Sequence, residues 1–258
     1  MNTSKPKYKV SVITCSLSDF EGLSRTLISL RGLIGNEIES ILVLSKYSSS
    51  EIARLKSISH SRDCKIIEQE PEGIYSAMNK GLSLAESELC IFLNGGDEIC
   101  DPRAFRDFAF GLTSHEWAYA PIYITSGQKD SHRKYEFKPY SRLKHRLSIK
   151  FVPHPGTIYK TQILKLMGGF NTSFSVAADQ ELAMRFAQRS HPRIGELPFA
   201  IFYSGGTSTR RQNEITSDFK LMSRQVFGNF FGMGFLDSLI WGMVRYARKL
   251  SEKVNSLK

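Results

Sequence analysis

The residues with the clearest chemical promise close an apolar run. Leu89 to Leu93 is followed at once by Asn94-Gly95-Gly96-Asp97-Glu98. A carboxylate on a loop of small residues, at the carboxyl end of a buried strand, leaves room beside it for a diphosphate. It suits Mg2+ or Mn2+, hard ions that take oxygen ligands, often one or two carboxylates plus phosphate oxygens. Taken alone, N-G-G-D is read more simply as a turn or a helix cap. A second acidic pair, Asp179 and Glu181, opens a stretch with helical periodicity through Leu182, Ala183 and Phe186. Its plain reading is an N-cap followed by a first-turn acid favoured by the helix dipole. Arg210 and Arg211 follow Gly205-Gly206. A guanidinium fork suits phosphate, so they form either a lid over a diphosphate or a solvated basic pair.

These groups need a scaffold, and the apolar spacing describes one. Tyr8 to Cys15 reads as a strand. Ser18 and Glu21 then spell a capping box before Phe20, Leu23, Leu27, Leu30 and Ile34, which share one helical face. Ile38 to Leu44 is a second strand, and Ser48 and Glu51 repeat the capping signature before Ile52, Leu55 and Ile58. Cys64 to Ile67 is a third strand, Ile74 to Ala85 a third helix, and Leu89 to Leu93 a fourth strand. Asp101-Pro102 starts another helix, since proline in the first turn loses no needed donor. The alternation implies an α/β fold with right-handed crossovers, a mainly parallel central sheet and helices on both faces. Ligands of such sheets bind outside the carboxyl ends of the strands. The loops after Cys15, Leu44, Ile67 and Leu93 should share that rim.

Beyond about residue 115 the alternation loosens. Trp117 to Thr125 reads as a strand, Gly127 to Lys150 as a basic excursion, and Gly156 to Tyr159 as a strand before a short helix ending at Gly168-Gly169. Phe199 to Tyr203 is a late strand. No repeat or low-complexity linker suggests a second catalytic domain, and no G-x-G-x-x-G follows the first strand, which counts against a dinucleotide-binding dehydrogenase.

Composition narrows the classes further. The 258 residues are 41% hydrophobic and 23% charged, which argues against disorder and against a multispanning membrane protein. The net charge of +10 is localised: Lys129 to Lys150 carries +6 and Gly205 to Lys258 carries +5, leaving the rest near neutral. A nucleic-acid binder would be more evenly basic. Four cysteines without a CxxC spacing read as free thiols of a reducing compartment. The opening MNTSKPKYKV has no secretory apolar region, so a cytoplasmic location is expected. Val226 to Val244 is rich in large aromatics, interrupted by Asp237, and followed by Arg245, Arg248, Lys249 and Lys253. That pattern fits an amphipathic helical tail lying on an anionic inner leaflet, or one packed on the domain or a second subunit.

Gly73-Ile74-Tyr75-Ser76-Ala77-Met78-Asn79-Lys80-Gly81, together with Phe92-Leu93-Asn94-Gly95-Gly96-Asp97, closely resembles the family 2 glycosyltransferases of bacterial surface-polysaccharide assembly, nearest to their colanic-acid-type branch. The likeness runs through His154-Pro155, Gly168-Gly169-Phe170 and Ala178-Asp179-Gln180-Glu181-Leu182 to Gly205-Gly206, most of residues 8 to 210. The resemblance implies a GT-A domain over 1–210, with a nucleotide-binding half to about 115 and an acceptor half from 116; the aromatic, basic-flanked run independently makes 211–258 a membrane-associating tail. The resemblance also implies an inverting, metal-dependent transfer from a nucleotide-diphospho-sugar, UDP-linked by expectation, to a hydroxyl of a lipid-linked saccharide. Position by position, Asp97 becomes the Mn2+ or Mg2+ ligand, with Asn94 and Gly96 standing where the family has acids. Asp179 becomes the general base, with Ala178 in place of a glutamate. Thr14 and Ser45 fall on nucleotide contacts, Asn79 and Lys80 on ribose or phosphate, and His154 and Glu181 on the acceptor side. Arg211 lies past the end of the likeness and is expected at the diphosphate on the chemistry of its guanidinium alone.

The chemistry suits those roles. Displacement at an anomeric carbon needs a base for the acceptor's proton, worth about 10²–10⁴-fold, and a Lewis acid for the departing diphosphate. The sequence departs from the family after the second strand, where D-x-x-S-x-D is replaced by Ser45-Lys46-Tyr47-Ser48-Ser49-Ser50. Two rivals remain. One is a non-catalytic member that binds nucleotide or scaffolds an assembly complex; the other is a metal-dependent nucleotidyltransferase.

Overall fold

The computed structural model describes residues 8–35, 37–59, 63–126, 132–204, 212–228 and 242–243, with only the backbone given for 212–217. Strands β1 (Val10–Leu17), β2 (Ile38–Ser45), β3 (Cys64–Glu68) and β4 (Leu89–Phe92) alternate with helices α1 (Phe20–Ser29), α2 (Ser49–Ser59) and α3 (Ile74–Leu84). β1 pairs in parallel with both β2 and β4, and β2 with β3. Every residue of β2 is buried, and so is every residue of β1 except Leu17, because helices cover both faces. Apolar side chains therefore run on without the alternation of a half-exposed strand. Ile13, Cys15, Ile41 and Val43 pack with α3, α6 (Thr161–Leu166) and α7 (Ala178–Arg189). Val10, Val12, Ile38, Leu89 and Ile91 pack with α4 (Pro102–Phe110). Leu42 and Leu44 meet α1 and α2.

The sheet is mixed. Its seven strands lie in the order β10-β6-β9-β4-β1-β2-β3, where β6 is Trp117–Tyr119, β9 is Thr157–Lys160 and β10 is Arg193–Ile194. β9 runs antiparallel to both β4 and β6, an inversion that a plain βαβ alternation does not contain. A second sheet orders β5 (Glu98–Ile99), β11 (Ala200–Tyr203), β7 (Ile122–Thr125) and β8 (Arg133–Tyr135). The single strand expected over Trp117 to Thr125 is thus two, split between the sheets at Ala120-Pro121. Proline there has no N–H to continue a ladder.

Local chemistry accounts for the helix starts. Ser48 and Glu51 form the expected reciprocal box: the Ser48 N–H donates to Glu51 Oε2 at 2.8 Å and the Glu51 N–H to Ser48 Oγ at 3.3 Å. Asp101 caps α4 by accepting from the Ala104 N–H at 2.8 Å, with Pro102 opening the helix. At α1 the cap is Asp19, which accepts from the Gly22 N–H at 2.9 Å, whereas Ser18 sits at φ +49° and plays no part. The basic excursion contains β8 and a short helix, α5 (Arg142–Arg146). Helix α8 (Gln212–Phe227) begins well before the aromatic run and buries Phe219 and Met222 against the α7 side, and residues 242–243 are again helical. Of the expected tail over 211–258, residues 211, 229–241 and 244–258, most of the aromatic run among them, lie outside the described residues. Among the described residues no helix is long and apolar enough to cross a membrane.

Candidate active site

The carboxyl ends of β1 to β4 carry the loops from which the site is built. β1 extends two residues past Cys15, so Thr14 is an interior strand residue, fully buried, whose hydroxyl has no partner. The rim position is taken by Ser16, whose hydroxyl bonds that of Tyr47 at 2.6 Å. Ser45 ends β2, buried, and its carbonyl accepts from the Ser18 N–H at 3.1 Å. Lys80 is exposed on α3.

The loop after β4 is knotted by Thr26 of α1. The Thr26 hydroxyl donates to the Asp97 carbonyl at 2.7 Å and accepts from the Gly96 N–H at 2.9 Å. Gly96 stands at φ +110°, and Gly95 lies so close to β1 that a Cβ would come within 2.7 Å of Ser16 Oγ. Asp97 is 4% exposed. Its Oδ1 accepts from the Tyr203 N–H of β11 at 3.2 Å, while Oδ2 is buried without a partner. Burial pushes this carboxyl up to about 7 against the lowering influence of the Tyr203 N–H and the Arg25 guanidinium. Around it, Arg25 lies 3.2 Å from Glu98 and stacks on the Tyr203 ring, and the Tyr203 hydroxyl donates to Glu98 at 2.7 Å. Glu98 is therefore committed to that network. Asn94 Oδ1 is a second buried oxygen of the loop without a partner. Among the described residues no group of three or more His, Cys, Asp or Glu side chains converges as a metal cage. Two orphaned oxygens, one of them on a carboxylate whose charge burial opposes, fit a divalent ion completed by substrate oxygens rather than a closed protein site.

Asp179 belongs to a different cluster. It is the second residue of α7, whose N-cap position is Ala177 without a side-chain cap, so the carboxylate is not used for capping. Its Oδ1 lies 3.1 Å from the Tyr75 hydroxyl, which also donates to the Val176 carbonyl at 2.5 Å, and its Oδ2 accepts from Gln180 Nε2 at 2.7 Å. Tyr75 sits in the first turn of α3, just past the carboxyl end of β3, which brings Asp179 to the rim. His154 stacks on Phe92, at the end of β4, with centroids 6.1 Å apart. Both His154 ring nitrogens are shielded and unpartnered, and burial lowers its pKa against the raising influence of Asp179.

Asn79 and Glu181, expected at the substrate, are engaged by the fold. Asn79 exchanges two hydrogen bonds with the Phe170 backbone, and Gly169 fits beneath it where a Cβ would lie 2.4 Å from Asn79 Oδ1. Glu181 is buried and paired with Arg185 at 2.8 Å, whose other donors hold the Met167 and Gly169 carbonyls. Its Oε2 remains without a partner. Arg211 lies outside the described residues. The structure thus brings together Asp179 and His154 in one cluster and Asn94, Gly96 and Asp97 in another. The carboxylates of Asp97 and Asp179 have no hydrogen-bonding partner in common among the described residues. Tyr75, Gln180 and Arg25 are the members that sequence reasoning did not single out. The first two lay within the quoted motifs, and Arg25 gave no signal.

No family model matches the chain. Two Mycobacterium tuberculosis proteins, named as the uncharacterized glycosyltransferases Rv1514c and MT1564, are each 27% identical over 210 residues, covering 79% of this chain and 78% of theirs. Among solved structures, S. aureus TarS 1-349 in complex with UDP superposes with a TM-score of 0.67 at 18% identity, over 92% of this chain and 70% of that one. The same protein with UDP-GlcNAc gives 0.65 at 19% identity, over 85% and 67%. The mannosyltransferase PcManGT of Pyrobaculum calidifontis, in complex with GDP-Man and Mn2+, gives 0.62 at 13% identity, over 94% and 70%. At these identities the likeness is one of fold: an α/β arrangement with a mixed central sheet shared with glycosyltransferase structures.

Proposed function

We propose that this chain is an inverting glycosyltransferase of the GT-A, family 2 type that moves a sugar from a nucleotide-diphospho-sugar, UDP-linked, to a hydroxyl of a lipid-linked saccharide in surface-polysaccharide assembly. The observation that carries the reading is the Asp179 carboxylate, free of any capping role and tethered at the rim of the sheet beside an unpartnered histidine. The fold shared with nucleotide-sugar-bound neighbours and the curated relatives support it.

In this reading Asp179 takes the proton of the acceptor hydroxyl as its oxygen attacks the anomeric carbon. His154, with two free ring nitrogens and a neutral ring, orients the acceptor by donating or accepting at a sugar hydroxyl. Asp97 Oδ2 and Asn94 Oδ1 are the oxygens that would hold a divalent ion. When bound, such an ion supplies Lewis-acid stabilisation of the leaving diphosphate. Both oxygens are closed to solvent in this conformation, so their use requires the loop to open. The aromatic, basic-flanked run Val226 to Val244 supports a peripheral location on the inner leaflet, where a lipid-linked acceptor resides.

The test is calorimetric titration with UDP-GlcNAc, other UDP-sugars and GDP-mannose, with and without Mn2+, followed by assay of donor hydrolysis. Binding and slow hydrolysis of at least one donor are expected. Absence of binding to all of them would remove the enzymatic reading and leave the non-catalytic scaffold, which the neutral Asn94, Gly96 and Ala178 would then explain.

A further inference from the structure

Behind Asp179 lies a buried chain of polar groups that the transfer reading does not use. The Gln180 amide is oriented without ambiguity by the backbone: Oε1 accepts from the Val152 N–H at 2.9 Å and Nε2 donates to the Val152 carbonyl at 3.0 Å. With Nε2 so defined, its contact at 2.7 Å to Asp179 Oδ2 is a donation to the carboxylate. On the far side, His145 Nε2 lies 3.1 Å from Gln180 Oε1, an acceptor, so this nitrogen carries the proton. His145 Nδ1, 3.1 Å away from the Tyr140 hydroxyl, is then the acceptor of that bond. Gln180 and His145 are both buried, so water does not compete for these bonds.

We infer that Gln180 is a positioning residue for Asp179, its amide holding the carboxylate in one orientation for the proton transfer. The inference rests on Asp179 being the base of the proposed transfer. A charge-assisted bond of 2.7 Å made by an amide that is itself locked to the backbone fixes the plane of the carboxylate. Neutral His145 supports the arrangement by giving its single Nε2 proton to Gln180 Oε1, which leaves the amide no freedom to flip. Around Asp179, the titratable and charged groups facing it are Tyr75 of α3, His154 of the turn before β9, Tyr159 of β9, and the Glu181–Arg185 pair of its own helix. None of them is a cation in hydrogen-bonding contact with it, so Gln180 supplies the strong stabilising bond to Oδ2.

The experiment compares wild type with Gln180→Met, which keeps the length of the side chain and adds no charge but removes the N–H facing Asp179. The expected result is a kcat about tenfold lower with the UDP-sugar Kd and the donor KM unchanged. A merely structural role would lower thermal stability and weaken Kd and KM together, and an unchanged kcat would overturn the inference. A readout independent of turnover is the 13C resonance of the Asp179 carboxyl, recorded for both proteins at one neutral pH. A displaced or broadened resonance in the variant supports positioning whatever the activity, and coincident resonances overturn it. Should Gln180→Met not fold, His145→Gln is read by the same resonance, with a smaller change expected and no change contradicting the inference.

Discussion

Asn79 of α3 and Phe170, 91 residues apart in the chain, are joined by two reciprocal hydrogen bonds: the Asn79 amide donates to the Phe170 carbonyl at 2.8 Å and its oxygen accepts from the Phe170 N–H at 2.8 Å. The bond pair staples the helix that bears Tyr75 to the turn that precedes α7, and so helps to hold Tyr75 against Asp179. Asn79→Ala leaves both backbone groups without partners, at a cost of about 2 kcal/mol. Urea denaturation should show this loss while the UDP-sugar Kd stays within about twofold, a small fraction of the 1.4 kcal/mol that marks a tenfold change. Lost donor affinity with unchanged stability would return Asn79 to the substrate.

Gly95 carries a similar steric obligation at the other cluster. Its N–H donates to the Cys15 carbonyl at 3.0 Å, and an added Cβ would meet Ser16 Oγ at 2.7 Å and Ser16 Cβ at 2.8 Å. Gly95→Ala should therefore push the Asn94–Asp97 loop off β1 and destabilise the fold by about 1–3 kcal/mol. A thermal melt reads the loss directly; an unchanged midpoint would mean that the loop moves freely away from the strand.

Much of residues 8 to 112 was legible because each element there is long enough to show its period. Continuous apolar strands, the Ser48–Glu51 box and Asp101-Pro102 all carry local signals, and the structure bears them out. β5 and β10 are two residues each and too short for any periodicity. The reversal of β9 depends on which neighbours it meets, and nothing within Thr157–Lys160 encodes that. The site follows the same division. Asp179 and Asp97 stand out as acids at motif positions, but Tyr75 reaches Asp179 across 104 residues, and the Arg25–Glu98–Tyr203 network joins three separate elements. Such contacts arise only once the sheet is assembled. Nothing in the motif around Asn79 signals that its amide bonds the Phe170 N–H and C=O pair, a match as good as the one an amide makes with a ribose.

His145 links stability to pH. Burial pushes its pKa down to about 4, from about 6.5 in an unfolded chain. Between those values the unfolded state binds a proton that the folded state does not. Stability contributed here is full above about pH 6.5 and is lost as the pH falls to about 4, on the order of 3 kcal/mol in all. Asp97, whose carboxyl is raised to about 7, acts with the opposite sign over the same range. Its contribution is common to wild type and His145→Gln and cancels in their difference. Chemical denaturation at pH 7 and pH 4.5 should show a smaller loss for the variant; equal losses would contradict a neutral buried imidazole.

The oxygens of the Asn94–Asp97 loop give a metal prediction. Mn2+ should strengthen UDP-sugar binding to the wild type, and EDTA should reverse it. Asp97→Asn should bind the donor with an affinity indifferent to Mn2+, because an amide offers a weaker, neutral oxygen to a hard cation. Calorimetric titration of both proteins distinguishes the cases, and a variant that retains the full response to Mn2+ would place the ion elsewhere.

The most direct measurement compares sugar transfer or donor hydrolysis by wild type and Asp179→Asn, alongside donor binding by each. The account predicts that the variant binds the same nucleotide-sugar with comparable Kd while turnover falls by about 10²–10⁴-fold, the loss of a general base. Undiminished turnover by Asp179→Asn would contradict it.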